Sequence, residues 1–146
     1  MANYEHPYAD LADKWIAYQL WAAARGTKRD PSRDELRADD AEAERHGFDA
    51  FDAVNRLVRE QPESAWVLIQ RLVELSPNDR ALASVAAGPL EDLLGLQPYI
   101  FIDRIEELAG RDAKFRRCLS GVWGWSSIPD DVLTRMRRVW VGEDPL

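Results

Sequence analysis

Residues 62–75 read PESAWVLIQRLVEL. Trp66, Ile69, Leu72 and Val73 recur there at steps of three or four, the spacing that stacks side chains on one face of an α-helix. Val67, Leu68 and Leu75 widen the stripe over more than half of the circumference. A helix apolar on most sides has to be covered on most sides, so this segment is predicted to be the centre of the molecule.

Working outward toward the start, Phe48, Phe51, Val54, Leu57 and Val58 keep the same period until Gln61 and Pro62 interrupt it. Leu11, Trp15, Tyr18 and Ala22 keep it over 10–25, and Gly26 is a stop signal. Between these two helices, 26–47 holds a single leucine among many charges, so it has little to bury. It reads as a polar acidic connecting segment, with a helix over 34–46 held by Glu and Arg pairs.

Working toward the end, Ser76, Pro77 and Asp79 predict a capped helix over 78–87, with Ser76 as the cap. Gly88 and Pro89 break it, and Leu90, Leu93 and Leu94 share a face until Gly95. Phe101, Ile105, Leu108 and Ala109 mark a helix over 98–109 with Gly110 as its C-cap. Asp112 caps the next, whose face of Phe115, Cys118, Leu119 and Val122 extends to an inward Trp123. Pro129 opens the last helix, with Asp130 and Asp131 in its first turn and Arg135, Arg137 and Arg138 in its last, as the macrodipole favours. No run alternates long enough for a strand. The expectation is an all-α, compact bundle of about seven or eight short helices arranged as stacked helical hairpins. It spans 1–146 as a single domain.

Composition narrows the function. With 19 basic against 26 acidic residues the net charge is -7, a field that repels nucleic acid and anionic membrane. The lone Cys118 excludes a disulfide framework and lies on a core stripe, which makes it an inert thiol. The opening MANYEHPYAD has neither a basic n-region nor an apolar h-region, and no run approaches the roughly 18 apolar residues of a membrane span. A cytoplasmic protein is expected. No P-loop, GxGxxG or GxSxG occurs, so nucleotide, dinucleotide and serine-hydrolase chemistry lack support. His6 and His46 sit in polar segments, and Glu42 four residues before His46 is half a metal site at best. No metal, no cofactor and no catalytic residue is therefore assigned.

The most distinctive string is AAGPLEDLL, 86–94. One reading is mechanical: Ala86, Ala87 and Gly88 allow close helix contact, Pro89 restarts the chain, and Glu91 and Asp92 favour a helix start. The other makes Glu91 and Asp92 a carboxylate pair for a proton, a metal or a partner's arginine. Neighbours on a helix diverge by roughly 100 degrees, which suits a shared metal poorly. This string, with PESAWVLIQRLVEL before it, IDRIEELAGRDAKFRRCLSGVW after it and the early WIAYQ, resembles a family of small bacterial domains of unknown function with a Gly-Pro-Leu-Glu-Asp-Leu-Leu signature. The resemblance implies a compact helical protein and draws attention to Glu91 and Asp92, while supplying no catalytic residue.

Three functions stay open. The first is a non-enzymatic protein-binding module, of the immunity or inhibitor type, that neutralises a basic partner. Asp39, Asp40, Glu42 and Glu44 would form its electrostatic face, and Trp125, in a loop of Gly and Ser, is either a lid on the core or, if exposed, an interface anchor. The second is a small enzyme or enzyme subunit using Glu91 and Asp92 at a cleft. The third is an RNA or phosphate binder using Arg111, Lys114, Arg116 and Arg117 together with Arg135, Arg137 and Arg138, although acids at helical distances from both clusters already offset them. The expected partner is another protein, with nucleic acid disfavoured, no membrane, and room for a homo-oligomer.

Overall fold

A computed structural model describes residues 8–25, 32–124, 127–140 and 145–146, with the backbone alone at 33–36 and 39. Among the described residues 84% are helical and none is in a strand. The helices are α1 (Ala9–Arg25), α2 (Arg33–Arg45), α3 (Phe48–Glu60), α4 (Pro62–Leu75), α5 (Asp79–Val85), α6 (Glu91–Leu96), α7 (Pro98–Arg111), α8 (Ala113–Leu119) and α9 (Asp130–Trp140). A widened, kinked turn over Ala86–Leu90 joins α5 to α6, so the two form one bent helical path. The all-α bundle is as expected.

The core forms where the apolar periodicity places it. Helix α4 buries Ala65, Trp66, Leu68, Ile69, Leu72 and Val73 and packs against α1, α3, α5 and α8. Trp66 meets Phe115 edge-on at 5.7 Å and Phe101 at 6.0 Å, geometries that add aromatic attraction to area burial. Val67, expected to widen the stripe, is instead 40% exposed. Helices α7, α8 and α9 pack together on the other side. Helix α2 lies against α3, with His46 just beyond its end stacked on Trp21 of α1 at 4.4 Å. None of its described side chains is buried, which fits its dense charge.

Helix ends depart from the expectations in instructive ways. Ser76 ends α4 rather than starting α5: it is buried, and its hydroxyl donates to the Leu72 carbonyl at 2.7 Å. The cap of α5 is Asn78, whose side-chain oxygen accepts from the Ala81 N–H at 2.9 Å. Helix α7 runs through Gly110 to Arg111, where Asp112 takes over and caps α8 by accepting from the Phe115 N–H at 3.1 Å. Because α8 stops at Leu119, its register never reaches Trp123, which is 59% exposed rather than inward.

Gly88 and Pro89 also behave differently. The helical path bends at Gly88 (φ -108°, ψ -105°) without ending. A Cβ on Gly88 would meet only Trp15 Cζ2, at an ordinary 3.9 Å, so this glycine is not the close contact expected of it. That contact lies one step away in space: a Cβ on Gly121 would fall 2.9 Å from the Cβ of Ala86. Ala86, in the distinctive string, is small because the chain end of α8 presses on it.

Candidate functional site

A groove of about 650 Å³ opens between α3, the Ala86–Leu90 turn with α6, and Ser127. Helix α3 has two working faces. Ala50, Val54 and Val58 are buried, while Phe51, Asn55 and Arg59, four residues apart, lie beside that stripe and line the groove. The opposite wall carries Gly88, Asp92, Gly95 and Leu96, again at helical spacing. The lining is mainly apolar with a few polar groups, the usual make-up of a recognition pocket.

Glu91 and Asp92 part company here, as neighbours on a helix must. The Glu91 carboxylate accepts a hydrogen bond from the Gly124 N–H, across the bundle from its own helix. Gly124 adopts φ +64°, and a side chain there would come within 2.8 Å of Ile128 and Leu133, so only glycine suits the turn. The turn leads to Ser127, whose Cβ lies 3.2 Å from where a Gly95 Cβ would stand. Glu91 is thus a positioning residue: it holds Gly124, three positions before the groove-lining Ser127.

Asp92 lines the groove itself. Burial against the apolar wall raises its pKa above the ordinary value of 3.8, the negative charge of Glu91 raises it further, and Arg59 pulls it back down through space. The residue as a whole is still solvent-accessible, so its carboxylate is costly to ionise yet reachable. Such a group gains from an incoming cation or donor more than a fully hydrated carboxylate does.

The remaining expected residues lie elsewhere. Asp40, Glu42 and Glu44 are on α2, exposed or half-buried, and none lines the groove. The side chain of Asp39 and the whole of Trp125 lie outside the described residues. The basic clusters are largely taken up within the molecule. Arg117 binds Asp79 at 2.9 Å, Lys114 donates to the Glu74 and Ser76 carbonyls, both at 2.9 Å, and Arg116 donates to the Ala109 carbonyl at 2.8 Å. Arg135 pairs with both Asp103 and Glu106. These cations tie helices together, whereas Arg111, Arg137 and Arg138 are exposed.

Cys118 is fully buried, and burial pushes its thiol up to about 12, so it is no nucleophile at neutral pH. Among the described residues no three His, Cys, Asp or Glu side chains gather in a way that could hold a metal ion. None of the described helices is long and apolar enough to cross a membrane.

Sequence reading singled out Asp92 but missed its company: Phe51, Asn55, Arg59 and Ser127. A signal existed for three of them, the four-residue spacing of Phe51, Asn55 and Arg59 beside the main stripe of α3. Ser127 had none, because it reaches the groove from a part of the chain far from α3 and α6.

Comparison with curated proteins and with solved structures returns no match. A family model described as a family of unknown function (DUF6869) matches residues 37–143, which takes in α3 to α9 and both walls of the groove. The chain belongs to that family of unknown function.

Proposed function

We propose that this chain is a non-enzymatic protein-binding module of the immunity or inhibitor type, acting in the cytoplasm, and that the Asp92 groove docks a segment of a basic partner. The docked segment presents a large apolar side chain to Phe51, Val58 and Leu96 and a Lys or Arg to Asp92. The observation that carries the reading is a carboxylate with a raised pKa set in a mainly apolar groove. The net charge of -7 adds long-range attraction for a basic partner, and α2 contributes a concentrated share of it. Leu96, half-exposed at the groove rim, supports docking of an apolar group.

A raised carboxylate would also serve a general acid, the basis of the enzymatic alternative. Among the described residues no histidine, cysteine or lysine lines the groove beside Asp92, and Glu91 is engaged with Gly124, so the two carboxylates envisaged for catalysis do not work as a pair. Binding is therefore the better-supported role.

The test is selection of a random heptapeptide library on the intact chain, followed by affinity measurement on variants. Enriched peptides are expected to combine a Lys or Arg with a large apolar residue, and to bind Asp92→Asn about tenfold or more weakly. Peptides that bind Asp92→Asn as tightly as the parent chain would overturn the reading.

A further inference from the structure

Most arginines along the body of this protein have partners. Arg56 pairs with Asp52, one turn from Arg59 on the same helix. Arg104 makes a two-pronged bond to Glu63 at 2.5 and 3.0 Å, and Arg117 and Arg135 are paired as described above. Arg59 differs. It lines the groove and makes no hydrogen bond or ion pair with the described residues. Among the described residues it acts on Asp92, on the facing wall, through space. Two opposite charges thus line the two walls of one mainly apolar groove, with no ion pair between them. Both side chains are exposed at the groove, so each charge is open to an incoming group. A guanidinium held this way offers a planar fork to a carboxylate.

Resting on the docking role proposed above, we infer that Arg59 and Asp92 form a two-point clamp that fixes the direction of the docked segment. Asp92 takes its basic side chain, Arg59 takes a carboxylate, and Phe51, Val58 and Leu96 hold an apolar side chain between them. A segment entering in reverse would set like charge against like, so the clamp discriminates by repulsion as well as attraction. The carboxylate can be an Asp or Glu side chain or the end of a chain, since both present the same two oxygens to the guanidinium.

The experiment uses the heptapeptide library on the intact chain and on the charge-exchanged variant Arg59→Glu/Asp92→Lys. On the parent chain, enriched sequences are expected to carry base, apolar residue and carboxylate in one order. On the exchanged variant the preferred order is expected to reverse. Binding of a selected peptide should weaken about tenfold in Arg59→Ala. Amidating the peptide's end separates the two sources: loss assigns a terminal carboxylate, and no loss assigns a side chain. Should the exchanged variant fail to fold, a cycle of Arg59→Ala against replacement of the peptide's carboxylate by an amide still decides, with each change abolishing most of the effect of the other. Enriched peptides that need Asp92 but ignore Arg59, or an unchanged order on the exchanged variant, would overturn the clamp and leave the docking groove standing. Peptides indifferent to both residues, or no enrichment at all, would overturn both.

Discussion

Two adjacent carboxylates have separate tasks in this protein, and single substitutions can tell them apart. Glu91 satisfies a backbone N–H in a tight turn, so Glu91→Ala leaves that donor without its partner and should destabilise the fold by about 1–3 kcal/mol. Glu91→Gln, which keeps an acceptor oxygen, should recover part of that in chemical denaturation. Asp92 is the converse. A carboxyl whose pKa is raised in the fold binds more protons folded than unfolded, so stability falls as pH rises from 3.8 through the raised value. Asp92→Asn removes that penalty. The variant should therefore melt at or above the parent temperature at neutral pH, with the gain vanishing as pH falls below 3.8, while peptide affinity drops. Glu63 and Asp79 run the other way. Their bonds to Arg104 and Arg117 hold their pKa values down, so what they contribute is present above the ordinary carboxylate range and lost as pH falls through the lowered values. The divergence of Glu91 and Asp92 was legible in sequence from helical geometry alone. Which of them would meet a turn and which a groove was not, because that depends on Gly124 and on α3, brought in from far along the chain.

At the scale of elements, most helices other than α2 were readable because they carry an apolar stripe, and buried residues from Trp15 in α1 to Phe115 in α8 fall where the periodicity put them. Ends and junctions were less so. Ser76 had the right chemistry for a cap, yet Asn78 offered its side-chain oxygen at the better-placed position, and Gly110 lies inside α7, which runs on to Arg111 before Asp112 caps α8 as the sequence indicated. The AAGPL junction shows the same limit: small residues announced a close contact without saying which residue made it. Gly121→Val should cost about 1–3 kcal/mol through overpacking against Ala86, measured as a fall in denaturation midpoint. Gly88→Ala should cost less than Gly121→Val, since the added methyl finds ordinary contact distance from Trp15. Equal losses at the two positions would move the close contact back to Gly88. The thiol of Cys118, on α8, should stay unreactive toward disulfide reagents at pH 8 until the protein unfolds, given a value near 12 and complete burial.

For the molecule as a whole, charge and groove play different parts in the proposed docking. The net charge of -7 acts at a distance and on encounter rate, whereas the groove acts at contact and on lifetime. Replacing Asp40, Glu42 and Glu44 together by Lys should slow association with a basic peptide by about tenfold at low salt, and much less at high salt. Stability should change little, because none of the described side chains of α2 is fully buried. The acidic helix was visible in the sequence as composition, while the groove was invisible there because it joins residues far apart along the chain. The measurement that bears most directly on the docking role is amide chemical-shift mapping of the intact chain as a selected basic and apolar peptide is added. The expected result is that shifts concentrate at Phe51, Asn55, Arg59, Gly88, Asp92 and Ser127. Shifts confined to α2, or to α8 and α9, with the groove unmoved would contradict it.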